Sequence, residues 1–561
     1  MKKNRRQAAK PRRMELKHEE LVAIVDRAEP VVGTEDAAKL RAVVETLGRV
    51  TAELERKGTS IARLRSLLFG ARTERTRDVL GDSGRPSDDG QTAAKDKPPS
   101  KPGAAPKPRK GHGRNGAADY VGATHVTVAH QTLAPGDSCP AQGCTKGRIY
   151  PQQEPQILVR VRGVAPLAAT VYECDRLRCN LCGEVFTAES PPGVGTEKYD
   201  ASAAAMMALL KYGTGLPFNR IAKLEKSLGI PLPVATQWDV VSRAAVRLAP
   251  AYKELVHQAA QGDLLHNDDT GARVLSLMSP EARAEILSGA SEDDLAGRTG
   301  LFTSGIVSVM DAHRIALFLT GRRHAGENLA TVLAQRAADL AAPIQMCDGL
   351  ARNVPAAFET ILANCLTHAR RKYVDVVDHF PEECRYVLET LAEVYATDAI
   401  ARERKLTAEE RLRLHQVESG PRMEALAAWM KAQITEHRVE PNSGLGAAIA
   451  YMTKRWDKLT LFLRVPGAPL DNNEVERALK KAILHRKNSL FYKTENGARV
   501  GDLFMSLIHT AELCGANPFD YLVVLLRHEQ DVAADPSRWM PWNYTETLAA
   551  IESVAEPPPS G

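Results

Sequence analysis

The sequence predicts a multidomain α/β protein. Three observations carry that expectation: a heptad seam near the start, two cysteine pairs at metal-binding spacing, and an alternation of strand-like and helix-like segments over 263–375. A chain of 561 residues exceeds what one hydrophobic core usually organises, and its 44% apolar residues can fill several, so two to four domains are expected. The longest apolar stretches, Ala203 to Leu210 and Tyr521 to Leu526, fall well short of the roughly 20 residues that cross a bilayer, so no membrane partner is expected.

The net charge is only +5, so a case for nucleic acid rests on how charge is distributed. Residues 1–33 open with MKKNRRQAAKPRR and read as a basic arm. No apolar stretch follows it as in a secretory signal, which points to a cytoplasmic protein. Basic residues gather again in Lys101–Arg114 and Arg477–Lys487, while 287–296 and 381–396 lean acidic. Nine cysteines is an odd count, with Cys347, Cys365, Cys384 and Cys514 scattered singly; reduced thiols, some of them on metal, fit better than a disulfide framework.

Over 34–80, Leu40, Leu47, Leu54, Ile61 and Leu68 recur every seven residues, and Val43, Val50 and Leu64 fill alternate seam positions. This is a coiled-coil pattern and predicts a homo-oligomer, at least a dimer. Lys57 in the seam, with Gly48 and Gly58 nearby, leaves open an amphipathic helix packed on its own chain. Residues 81–118 are dominated by Gly, Pro, Ser, Asp and Lys, a composition expected to form a disordered basic linker.

Residues 119–192 read as a zinc-binding domain. Cys139-x4-Cys144 and Cys179-x2-Cys182 are hairpin-spaced pairs, with short strands expected at Ile157–Val161 and Thr170–Glu173. Four thiolates close a tetrahedral site around one structural Zn²⁺ and leave no position for substrate. Cys174 is an alternative ligand. Residues 193–262 read as a helical, helix-turn-helix-like domain: Ile221 and Leu224 face inward, a turn falls at Leu228–Ile230, and a second helix starts near Val234. Such a pair can enter a major groove, or can simply be two helices packed around a glycine turn.

Residues 263–375 carry the chemistry. GDLLHNDDTGARVLSL is a strand ending in acids, FTSGIVSVM and HRIALFLTG are two strands around a turn at Asp311, and a helix follows Gly326. PIQMCDGLARN is a strand stopped by Asp348-Gly349, and ILANCLTHARRKY another, so the order is three strands, helix, strand, helix, strand. A ribonuclease-H-like domain has this order and sets carboxylates of its first and fourth strands side by side. Two-metal phosphoryl transfer needs several anionic oxygens around a pair of Mg²⁺ or Mn²⁺ ions, so a third acid must come from a later helix. A helical insertion is expected over 376–464, the last catalytic helices over 465–515, and a C-terminal tail over 516–561.

PLDNNEVERALKKAILHRKN supplies that acid. Asp471 with Glu474 suggests a capping box, Val475, Leu479, Ala482 and Ile483 a buried stripe, and Glu476, Lys480 and Lys487 share one edge. Between Arg477 and Lys493 there are seven Lys, Arg or His and no acid; Arg477, Lys480, Lys481, Arg486 and Lys487 are candidate contacts to double-stranded DNA, with Arg370 and Arg371. Asp268 and Asp269 compete for the first acid, because neighbours on a strand point to opposite faces, and spacing does not choose between them.

At these residues the sequence resembles the DDE transposases of the bacterial insertion sequence sixty-six family. LRSLLFGARTER resembles the end of the family's coiled coil, the cysteine pairs its zinc-binding domain, and KYGTGLPFNRIAKLEKSLGIPL its helical segment. HNDDTGARVL, CDGLARN, CLTHARRKY and LDNNEVERALKKAILHRKNSLF resemble its catalytic blocks, and DPSRWMPWNY its tail. The resemblance implies a triad of Asp268, not Asp269, with Asp348 and Glu476. It also implies two Mg²⁺ or Mn²⁺ ions, one structural Zn²⁺, and action on terminal inverted repeats and target DNA at the bacterial nucleoid. Helper proteins of the same element are further candidate partners. Cys365-x2-His368 resembles a Cys-x-x-His element of several transposase groups, and is otherwise a core cysteine with a satisfied histidine. The sequence departs from the pattern at the longer Cys139-x4-Cys144 loop and at Gly271, where the family often has proline. Two rival functions are a non-catalytic zinc-containing DNA-binding regulator and a ribonuclease-H-like nuclease that does not join strands.

Overall fold

The computed structural model describes residues 18–45, most of 132–148, 164–178, most of 185–195, 197–287 and 298–555. The chain divides into two compact units, one comprising Met1–Arg85, Tyr199–Pro217 and Trp238–Gly561, the other Pro86–Lys198 and Phe218–Gln237. Residues 193–262 are therefore shared between the two. No helix among the described residues is long and apolar enough to cross a membrane.

The larger unit is built on a five-stranded mixed sheet. Its strands are β1 (Leu264–Gly271), β2 (Phe302–Met310), β3 (His313–Gly321), β4 (Ile344–Cys347) and β5 (Ile361–Asn364), in the order β3-β2-β1-β4-β5. β1, β2 and β3 form an antiparallel meander, and β4 and β5 run parallel to β1. The β-branched runs FTSGIVSVM and HRIALFLTG form the second and third strands as expected, because both are largely buried and joined by a tight turn. Asp311 in that turn has a φ of 51°, a conformation that Asp tolerates.

The helices used below are α1 (Val234–Ala260), α2 (Ala325–Leu333), α3 (Leu366–Val374), α4 (Pro381–Glu403), α5 (Ala408–Glu418), α6 (Gly420–Thr435), α7 (Gly444–Lys454), α8 (Asn473–Ser489) and α9 (Glu495–Leu513). Two expectations need correction. Between β4 and β5 there is no full helix, only a 3-10 turn at Ala351–Asn353, because the link is short and its backbone is taken up by the site described below. The segment ILANCLTHARRKY is a strand only to Asn364: Cys365 becomes the N-cap of α3, so His368, Arg370 and Arg371 are helical.

β3 lies at the sheet edge, where unpaired N–H groups would be a liability. α9 covers it with side chains one turn apart. Thr510 Oγ1 accepts from Ala316 N (3.0 Å), Ser506 Oγ from Phe318 N (3.0 Å) and Asp502 Oδ2 from Thr320 N (2.6 Å). A helical period of four residues thus meets a strand period of two. The insertion over 376–464 is helical, as its composition predicts: α4, α6 and α7 bury Val387, Leu391, Leu426, Met430, Leu445 and Ile449 in a core continuous with Leu366 and Tyr373 of α3.

In the other unit, Arg176–Arg178 pairs antiparallel with Val185–Thr187, and Cys179-x2-Cys182 falls in sequence between them. The strand expected at Thr170–Glu173 is not formed; pairing begins at Arg176. Ile157–Val161 lies outside the described residues, as do Cys139, Cys179 and Cys182; Cys144 and Cys174 are exposed. The helix Phe218–Ser227 ends at Gly229 (φ 84°), matching the expected turn, and Gln237 Nε2 ties that region together by donating to the Phe218 and Leu232 carbonyls at 3.0 and 3.1 Å.

His18–Val32 forms a helix within the segment read as a basic arm, and 34–45 is helical. Leu40 and Val43 of the seam are exposed; the later seam positions and the linker over 81–118 lie outside the described residues.

Candidate active site

Register brings the first two acids to one end of the sheet. β1 and β4 pair in parallel with His266 opposite Met346, and two further residues along each strand bring Asp268 level with Asp348. One amide spans both side chains: Asn353 Nδ2 donates to Asp348 Oδ1 at 2.6 Å and to Asp268 Oδ1 at 3.4 Å. Asp348 Oδ1 also accepts from Leu350 N (3.1 Å), as expected of an Asp closing a strand before glycine. A Cβ on Gly349 would collide with the Arg455 side chain, which donates to the Gly349 carbonyl at 3.1 Å and stacks over Tyr451.

The amide of Asn353 is itself held by a buried polar network. The Asn353 backbone carbonyl accepts from Asn267 Nδ2 (2.7 Å) and Gln345 Nε2 (2.7 Å), Gln345 Nε2 also donates to Asn267 Oδ1 (2.9 Å), and Thr360 Oγ1 donates to Gln345 Oε1 (2.8 Å). Sequence reading missed all four residues. The only signal was their polarity, Asn267 and Gln345 interrupting runs otherwise suited to a buried strand.

The third acid arrives on α8, seated by Gly305. Gly305 pairs directly with Asp268, and a Cβ there would lie 2.9 Å from Leu479 Cδ2 and 3.1 Å from Val475 Cγ2. α8 therefore packs down on the sheet beside the first acid, with Glu476 next to Val475. The capping box expected from Asp471 and Glu474 is absent. The N-cap is Asn472, whose Oδ1 lies 3.0 Å from His266 Nδ1 and whose Nδ2 donates to the Asn267 carbonyl at 3.1 Å. Asp471 instead accepts from Asn473 N (3.1 Å), and Glu474 pairs with Arg477.

Asp268 and Asp269 separate as the strand alternation requires. Asp269, its side chain 2% exposed, is neutralised by Arg352 Nη2 at 3.2 Å and lies 3.0 Å from His324 Nδ1. Asp268 has no cation partner among the described residues. Burial pushes its carboxyl up to about 7 against the Asp269 N–H that it accepts, and the charges of Asp348, Asp269 and Glu476 push the same way. Burial also depresses His266 to about 4, so this histidine supports Asn472 in its neutral form.

Cys365 and His368 meet Glu476. The Cys365 thiol accepts from Asn472 N at 3.3 Å, and His368 Nδ1 lies 3.9 Å from Glu476 Oε1. Both of those His368 and Glu476 atoms are buried without a hydrogen-bond partner, as is Asn353 Oδ1. The satisfied core histidine considered from sequence is therefore not what His368 is.

The basic residues divide. Arg371, Arg477, Lys480 and Lys487 are exposed, whereas Arg370 is buried and Lys481 is paired with Glu512. Arg486 donates to the Gly271 carbonyl. His485, counted in the basic strip, is 3% exposed between the rings of Tyr212 and Tyr492, and burial holds it down to about 3; it belongs to the core.

A cluster of half-buried carboxylates beside a cationic helix edge is an arrangement suited to divalent ions and a phosphodiester. Comparison with known proteins agrees in kind. The family profile described as "Transposase IS66 family" matches residues 197–500, which contain all three acids. Two relatives from Sinorhizobium fredii (strain NBRC 101917 / NGR234) align over most of their lengths. "Uncharacterized protein y4jD" is 27% identical over 89% of this chain and 96% of its own, and "Uncharacterized protein y4qI" 25% identical over 90% and 93%. The matched profile covers more than half of the sequence, and the chain belongs to the IS66 family of transposases.

Proposed function

We propose that this transposase cuts the ends of its element and joins them to target DNA by two-metal phosphoryl transfer, with Asp268, Asp348 and Glu476 as the acids. The observation that carries the reading is the parallel register of β1 and β4, which sets Asp268 level with Asp348. We read the sheet as ribonuclease-H-like, supported by the strand order β3-β2-β1-β4-β5 and by a third acid on a later helix.

The residues fit a pair of Mg²⁺ or Mn²⁺ ions: hard oxygen donors converge, the charges of Asp348, Asp269 and Glu476 add to the burial that raises Asp268, and among the described residues no side-chain cation neutralises Asp268. When bound, such ions would neutralise charge on the attacking and leaving oxygens of an in-line displacement. Asp268 and Asp348 would hold them, with Asn353 fixing both carboxylates and Gly305 allowing Glu476 to approach. Arg371, Arg477, Lys480 and Lys487 would carry the DNA backbone. Hydrolysis at the element end frees a 3'-OH, which then attacks the target strand without a covalent protein intermediate.

Further parts of the reading stand on less extensive contacts. The four cysteines Cys139, Cys144, Cys179 and Cys182 would form a structural zinc site, a reading supported by the paired strands flanking the second pair. Self-association through the heptad seam would let two chains hold two element ends, and the exposure of Leu40 and Val43 supports it. The reaction would take place on nucleoid DNA in the bacterial cytoplasm.

The test is a labelled element end incubated with Mg²⁺. Asp348→Asn is expected to bind the end as the wild type does and to cut none of it. Retained cutting would reject the triad. Wild-type protein that binds and never cuts would be a regulator, and cutting without joining would make it a nuclease.

A further inference from the structure

We propose that Cys365, His368 and Glu476 form a second cation site, selective for a thiophilic ion such as Zn²⁺ and distinct from the paired-aspartate site. One ligand atom from each residue lies within 4.8 Å of the other two. Two of the three, His368 Nδ1 and Glu476 Oε1, are buried, 3.9 Å apart, and without a hydrogen-bond partner. Orphaned buried polar atoms are rare and call for a partner, and here both orphans are metal-ligand atoms facing a thiol.

The donor set decides which ion. Sulfur, imidazole nitrogen and one carboxylate oxygen suit zinc, whereas magnesium prefers six oxygens in a near-ideal octahedron. Zinc bonds of about 2.0–2.3 Å require the cluster to contract slightly around the ion. The backbone is arranged for this. Cys365 is the N-cap of α3 and His368 lies in its first turn, so both ligands sit on one helix start; burial pushes the free thiol up to about 11 against the N–H groups it accepts, a cost that metal binding has to offset. The N–H of Asn472, at the head of α8, already points at the sulfur. On binding, the thiol proton leaves to solvent as the metal–sulfur bond forms, and His368 binds as neutral imidazole.

Cys365 is 1% exposed, but His368 and Glu476 side chains are 25% and 29% exposed, so an ion can reach the cluster past them. Three protein ligands leave a fourth position for water. Such an ion would pin α3 to α8. It would also engage Glu476, so if Glu476 serves the proposed catalytic pair, Zn²⁺ and Mg²⁺ compete for one carboxylate.

Cobalt titration of the full-length protein tests the site, because Co²⁺ reports thiolate ligation by a near-ultraviolet charge-transfer band. The wild type is expected to bind one equivalent more than Cys365→Ser, with the difference spectrum showing a single thiolate. His368→Ala, at a partly exposed position, is expected to weaken the same equivalent by about tenfold or more. Asp348→Asn is expected to keep the thiolate charge-transfer band of the wild type, even where it loses cobalt from the aspartates. Identical titrations for wild type and His368→Ala would overturn the proposal, as would loss of the thiolate band in Asp348→Asn. In cleavage assays, Zn²⁺ is expected to inhibit the wild type at about tenfold lower concentration than His368→Ala. Should Asp348→Asn retain cleavage, the catalytic reading fails while the cobalt result still stands.

Discussion

Asp268 and Asp398 are buried or partly buried carboxylates in the same unit, and their surroundings are opposite. Asp398, on α4 of the insertion, receives Arg402 and Arg411, each at 2.7 Å, and lies 3.3 Å from His415; desolvation opposes ionisation, but these partners outweigh it and hold the carboxyl far below its usual range. Asp268 receives one backbone N–H and a long contact from the Asn353 amide, faces three further acids, and is pushed by burial up to about 7. One carboxylate is complete within the chain and fixes α4 to α5. The other ionises at the cost of its burial and its acidic neighbours, a cost that cations arriving from outside would relieve.

The contrast can be broken most severely at Asp398. Asp398→Asn leaves the mostly buried Arg411 and the buried His415 without their acid, Arg402 being solvent-exposed, and chemical denaturation should show a loss of about 3 kcal/mol. An unchanged midpoint would mean that the cluster contributes little. Gly305→Ala should cost about 1–3 kcal/mol through the clash with Leu479 and Val475, and it should lower cleavage by moving Glu476; unchanged cleavage would remove Gly305 from the account of the site.

Asp268→Asn should act in the reverse direction, raising the stability of metal-free protein by about 0.5–2 kcal/mol while abolishing cleavage. A destabilised variant would show that Asp268 serves packing.

The pH profile tests the same contrast. Asp268 has a folded pKa above its unfolded value of 3.8, so the folded state holds a proton that the unfolded chain has released. Its contribution to stability therefore falls as pH rises from about 4 to about 7 and is level above that. Asp398 is depressed, so its contribution is complete above the unfolded pKa and is lost as pH falls below it. Asp502, buried and raised to about 7, adds to the slope between 4 and 7. Only the difference between wild type and Asp268→Asn isolates Asp268, and parallel stability profiles for the two would contradict its raised pKa.

Much of the larger unit was legible in the sequence. Alternating and β-branched runs marked the strands, Asp348-Gly349 marked a strand end, and the buried stripe of α8 followed from Val475, Leu479 and Ala482. Side-chain periodicity survives in sequence, whereas polar partnerships over long separations do not. Asn472 was passed over for Asp471 because an Asp with Glu three residues on satisfies a local capping pattern, while the Asn472 partners, His266 and Asn267, lie two hundred residues away. Arg370 and His485 were counted as surface cations because charge was read without the helix face on which each falls. Gly305 was a weak signal in plain view, since a glycine within a β-branched strand commonly marks a close approach. Asn353 offered no such signal: only the fold shows that its amide joins two carboxylates.

Crystals of the protein bound to an element end and soaked in Mn²⁺ provide the most direct measurement, since anomalous scattering locates the ions. Two peaks about 3.5–4 Å apart, touching Asp268, Asp348 and Glu476, are the predicted result. Manganese held elsewhere, with these three carboxylates unliganded, would contradict it.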